Sequence, residues 1–149
     1  MKHGLRKKKR TSKRRDKLNS CFYSSFIFTT NVILFLYLGY IFYAFLFLCL
    51  LLTSVLYHSN PSATNYILDK LSIFGVVVYG GYLYFTKLQS ISIDIAIIIV
   101  VAFLTTIYLY VYGYMVKQYC FDKKRKRANW FHSGLHIISS IGHCCIALA

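Results

Sequence analysis

The chain has 149 residues, 57% hydrophobic and 18% aromatic, with a mean hydropathy of +0.51. That is too apolar for a soluble domain of this length, and a single proline with no long polar linker points to one compact helical domain. The formal charge of +14 is concentrated: about ten of the eighteen Lys and Arg precede Asn19, about six lie between Lys117 and Arg127, and only Lys70 and Lys87 lie elsewhere. Apolar stretches nearly free of charge between basic segments read as an all-α polytopic membrane protein.

Residues 1–17, MKHGLRKKKRTSKRRDK, form a basic tail. Such a run is a solvated, disordered arm. Ahead of an apolar stretch it holds the N-terminus in the cytosol and leans on anionic lipid headgroups. It lacks interleaved aromatics, so no nucleic-acid partner is expected. The apolar run behind it is too long for a cleavable signal peptide, and no small-residue cleavage site stands out.

Residues 18–149 read as the transmembrane helical domain, in four apolar blocks: about 18–57, 67–85, 91–115 and 130–149. SNPSATN (59–65) is a turn cluster, TKLQS (86–90) a tight polar turn, and KQYCFDKKRKRAN (117–129) a basic loop. The last three blocks each match one span of about 20 residues. The first is long for one span and short for two, and Gly39 offers a hairpin between two. Charge favours two, because the basic tail and the KKRKR loop then share the cytosolic side. Five spans are therefore expected, or four if the first block is a single span. The C-terminus then lies across the membrane.

Polar residues at the ends of these blocks carry the functional signal, because ionisable groups in a membrane are expensive. They are Ser54 and His58 in LTSVLYHS, Asp69 in YILDKLSIF, and His132 and His136 in FHSGLHIISS. The second helix is expected to end at His58, the third to begin at Asp69 and the last to begin at His132. An even number of crossings separates these ends, so all five residues share one face, which charge makes cytosolic. Asp94 falls on the other face, at a helix start where the dipole favours a carboxylate.

His132 and His136, spaced i, i+4, offer two imidazoles from one helical face. Ser54 and His58 have the same spacing. A third imidazole from another helix would complete a three-histidine zinc site with an open position, the mark of a catalytic centre. Zinc lowers the pKa of its water toward about 7, generating a hydroxide able to attack a carbonyl. Asp69 is the candidate proton acceptor, and Ser54 a hydrogen-bond donor to a ligand or a substrate carbonyl. Taken singly, each has a structural role: the histidines as interfacial anchors, Ser54 as a helix-packing residue, Asp69 as a first-turn residue beside Lys70. His143 reads as a pore or packing histidine. Gly75, Gly80 and Gly81 read as sites of close helix contact. Of the five cysteines, Cys49, Cys144 and Cys145 read as packing residues, Cys21 and Cys120 lie where S-palmitoylation occurs, and no disulfide is implied.

At SVLYH, LDKLSIFGVVVYGGY and HSGLH the sequence resembles the CREST superfamily, which includes alkaline ceramidases, progestin and adipoQ receptors, hemolysin III and myomaker-like proteins. Its pattern is SxxxH ending the second helix, an Asp opening the third and HxxxH in the last. The resemblance covers about 31–85 and 130–149, with Leu135 where the family often has Trp. It implies zinc held by His58, His132 and His136, with Asp69 and Ser54 supporting a zinc-bound water, and hydrolysis of a lipid amide such as that of ceramide. The family has seven helices, so a pair between the Asp69 helix and the last is missing here, and a closed lipid cavity would need a partner chain, for instance a second copy. The expected function is a zinc-dependent membrane hydrolase of a lipid amide or ester. The alternative is a non-catalytic receptor-like, fusion-related or structural membrane protein.

Overall fold

The computed structural model describes residues 20–149, so the basic tail lies outside it. The chain order is α1 (Ser20–Ser25), α2 (Phe28–Tyr37), α3 (Ile41–Ser59), α4 (Ala63–Lys87), α5 (Ile93–Ile107), a π-helical turn (Tyr108–Tyr112), α6 (Gly113–Val116), a 3-10 turn (Tyr119–Phe121) and α7 (Arg125–Leu148). Among the described residues there is no strand. Five helical stretches are long and apolar enough to cross a membrane: Ser20–Tyr37, Ile41–Ser59, Ala63–Lys87, Ile93–Val116 and Arg125–Leu148.

The first apolar block is indeed two helical stretches, and Gly39 divides them. Its φ of +79° is left-handed, and nothing lies within 4 Å of where a Cβ would stand, so conformation rather than space requires glycine. Tyr40 N donates to Phe35 O at 2.8 Å and Gly39 N to Leu36 O at 3.1 Å. That pair is a Schellman closure, which satisfies the last carbonyls of α2 and reverses the chain.

Two helices start earlier than hydropathy suggests. α4 begins at Ala63, where Ser62 Oγ accepts from Asn65 N at 3.1 Å. Asp69 therefore lies in the second turn rather than at the helix start, and it is buried. α7 begins at Arg125, not near residue 130. Asp122 draws that turn in: one carboxylate oxygen accepts from Lys124 N at 2.7 Å and the other from Arg127 Nε at 2.7 Å. His132 consequently lies two turns inside the helix. Capping atoms made these starts, and a hydropathy window counts them only as polar. Asp94 does stand in the first turn of α5, as the sequence suggests.

α3 packs between α2 and α4, and α7 packs on α1, α2, α4 and α5. The core is aromatic, with Phe28, Phe35, Tyr43 and Phe47 buried among Leu50, Val76 and Ile146. The outside is apolar too: Ile93, Val101 and Leu104 of α5 are 71%, 56% and 57% exposed. A surface of this kind is compatible with a multi-pass membrane protein.

Of the three glycines expected at helix contacts, Gly80 is the one that needs to be glycine. A Cβ there would stand 2.7 Å from the His143 ring and 2.7 Å from Tyr43 Oη. Those two side chains hydrogen-bond to each other, so His143 is a packing residue. Gly75 would meet Leu46 at an ordinary 3.4 Å, and Gly81 would meet nothing within 4 Å. At the same end of the bundle Lys87 Nζ donates to Ile146 O at 3.2 Å and Ala147 O at 3.0 Å, closing the last turn of α7.

Candidate metal centre

His58 lies in the last turn of α3, and His132 and His136 lie one turn apart on α7. The fold brings them together: one ring nitrogen from each lies within 4.8 Å of the others. Ring centroids are 5.1 Å apart for His58 and His132, 5.5 Å for His58 and His136, and 4.9 Å for His132 and His136. A tetrahedral ion with bonds of about 2.0–2.1 Å holds its ligands about 3.4 Å apart, which modest ring rotations reach.

Two details test whether these residues fit a metal. His58 Nε2 is buried, and no described residue gives it a hydrogen bond. A buried polar atom without a partner is costly, and a metal ion would satisfy it. His136 Nδ1 lies 2.8 Å from Ser24 Oγ. Ser24 Oγ donates its one proton to Cys21 O at 3.1 Å, so toward His136 it acts as acceptor. With the Ser24 proton on Cys21 O, His136 would carry its proton on Nδ1 and its lone pair on Nε2, the arrangement that second-shell partners impose on metal-binding histidines. The donor set fits a metal ion.

Ser24 is one contact the sequence reading missed, and a kink delivers it. Ser24 and Ser25 both return a hydroxyl proton to Cys21 O, at 3.1 and 2.8 Å. Back-bonding of this kind bends helices. The break between α1 and α2 follows directly, with short-range bonds such as Ile27 N to Ser24 O at 3.1 Å. The available signal was a Ser-Ser pair inside an apolar block, itself an exception of the kind that marked the other site residues.

Ser54 is 1% exposed, and its Oγ lies 3.0 Å from Ser25 Oγ. Because Ser25 donates to Cys21 O, Ser54 is the donor of this pair. Ser54 thus braces α3 against α1, one turn below His58. Asp69 is 2% exposed, and its Oδ2 lies 2.9 Å from Lys70 Nζ. It is not a member of the three-histidine cluster. Lys70 in turn sits 5.9, 5.3 and 5.1 Å from the rings of Tyr57, Tyr66 and Tyr110. Tyr110 lies in the π-helical turn, a register shift common at functional sites, and its ring centroid is 6.4 Å from that of His132. Sequence periodicity gave no sign of it.

Among the described residues no cysteine thiol joins the three-histidine cluster. Cys21 is 2% exposed and its Sγ donates to Asn129 O at 3.4 Å, so that thiol is held inside the bundle. Burial pushes the Cys120 thiol up to about 11. A thiol raised this far stays neutral until the pH approaches that value. Alkylation of Cys120 at pH 8 is expected to run at least about tenfold slower than that of an ordinary thiol. Mass spectrometry after timed iodoacetamide treatment measures it, and a rate equal to that of a model peptide would refute it.

Comparison with known proteins matches no family model, no curated protein and no solved structure, so the CREST resemblance rests on the motif residues alone.

Proposed function

We propose that the chain is a zinc-dependent membrane hydrolase of a lipid amide or ester, a shortened relative of the CREST superfamily with its motif face in the cytosol. The observation that supports it most is the convergence of three imidazole nitrogens within 4.8 Å, one of them from a separate helix. His58, His132 and His136 would hold the metal. When bound, zinc supplies Lewis acidity for activating water and polarising a carbonyl. Ser24 orients His136, and Ser54 fixes the spacing of α1 and α3 beneath the site. Lys70 holds the Oδ2 end of Asp69, which leaves Oδ1 to accept the proton of water. α4 packs on α3 and α7, and α5 mainly on α7. Lipid would enter from the side, between α4 and α5.

A second reading has its own support. Asp69 is already paired with Lys70, and the Ser54 proton is already given to Ser25. Both candidate catalytic groups are thus engaged in holding the structure, as a non-catalytic membrane protein stabilised by its metal would have them. Asp69→Asn in lipid nanodiscs separates the two. The hydrolase reading predicts that turnover of a ceramide or ester probe falls by at least about a hundredfold while zinc content stays unchanged. Turnover that survives the substitution removes Asp69 as the base. A metal-loaded wild-type chain with no turnover on any lipid amide or ester favours the second reading.

A further inference from the structure

We infer that the entry to α7 is a docking surface for the anionic lipids of the leaflet it faces, built from Lys123, Lys124, Lys126 and Trp130. Residues 117–130 hold six cations and one acid, Asp122, and five of the cations are consecutive, at 123–127. Asp122 is already engaged: its carboxylate accepts from Lys124 N and pairs with the Arg127 guanidinium. Lys123, Lys124 and Lys126 are exposed, and no ion pair among the described residues takes any of their ammonium groups.

The position of this excess charge makes it costly. α7 runs 24 residues from Arg125 and has no acid in its first turn. The start of a helix is its positive end, where anions are favoured and cations are not. Lys124 at the N-cap and Lys126 in the first turn therefore stand against the dipole as well as against each other. Negative charge outside the chain relieves both. Basic clusters beside a membrane span bind anionic leaflets for this reason.

Trp130 favours a lipid over a soluble acidic partner. It is the only tryptophan of the chain and is 68% exposed. Four residues after Lys126 on the same helix, it shares that side chain's face. With Lys124, Lys126 and Arg127 it lines an open groove of about 360 Å³, whose wall is almost wholly apolar. The indole ring and the aliphatic stems of the cations supply that wall. A soluble acidic peptide would use the charges and leave the groove unfilled. A lipid uses the charges for its phosphate and the groove for its glycerol and upper acyl carbons, the level at which indole rings settle. None of these residues belongs to the three-histidine cluster, so the surface stands whether or not the chain is a hydrolase.

Because Trp130 is the only tryptophan, its fluorescence reads this surface alone in the purified full chain. The bilayer is phosphatidylcholine doped with one brominated lipid at a time. Brominated phosphatidylglycerol is expected to be enriched beside Trp130 about fivefold over brominated phosphatidylcholine, and salt at about 0.5 M should bring the two close to equality. The triple variant Lys123→Gln, Lys124→Gln, Lys126→Gln is expected to be quenched equally by both lipids. Lys126→Gln alone should lower the preference about twofold, which keeps the test readable if the triple variant loses helicity. Lys7→Gln, Lys8→Gln, Lys9→Gln removes the same charge from the tail and should keep the preference. Equal quenching of the wild-type chain by the two lipids would overturn the inference. So would no quenching by either, which would put Trp130 out of contact with lipid. A preference lost equally in both triple variants would assign the effect to net charge and overturn this surface. Loss of the preference on adding polyglutamate of matching charge would overturn the lipid as its occupant.

Discussion

Replacing His132 with alanine is expected to abolish metal binding, reducing zinc from one equivalent per chain to background. The three rings form a nearly equilateral triangle, with His132 5.1 Å from His58 and 4.9 Å from His136, and His58 5.5 Å from His136. Removing it leaves two ligands, too few for a zinc site of either kind. His58→Ala should do the same from the α3 side. His143→Ala is the control: it is another histidine of α7, but it bonds Tyr43 near Gly80 rather than joining the cluster. Elemental analysis of the purified variants reads all three. Full zinc in His132→Ala, or zinc lost equally in His143→Ala, would refute the assignment.

Ser24→Ala is expected to weaken zinc binding by about 10- to 100-fold, the usual effect of removing a second-shell partner. The substitution takes away the acceptor that holds His136 in the Nδ1–H form and frees the ring to rotate. It also removes one of the two hydroxyls that bend the first span, so helicity needs to be followed beside affinity. Ser25→Ala separates the effects. It removes the other Cys21 contact and the link to Ser54, and the Ser25 hydroxyl bonds those two partners rather than a histidine. Competition against a zinc chelator measures both variants. A loss in Ser25→Ala as large as that in Ser24→Ala would show that the kink, not the hydrogen bond, sets the affinity.

The three histidines were legible because each broke a local rule, being an ionisable group at the end of an apolar run, and because crossing parity gathers those ends on one face. The hairpin at Gly39 was legible from charge balance and one glycine. The starts of α4 and α7 were not, since Ser62 and Asp122 carry the helices into segments whose polarity reads as loop. Ser24 escaped notice because its partner lies 112 residues away in sequence, and only the packing of α1 on α7 brings them together. The pairing of Asp69 with Lys70 was visible as adjacency, but its consequence was not. Burial of Asp69 at 2% exposure turns a common surface pair into an ion pair held inside the bundle, beside the rings of Tyr57, Tyr66 and Tyr110.

X-ray absorption at the zinc edge of the purified full chain tests the three-histidine centre most directly. The expected spectrum shows one zinc per chain with three imidazole nitrogens at about 2.0–2.1 Å and no sulfur neighbour. No zinc above background, or a sulfur neighbour at about 2.3 Å, would contradict it.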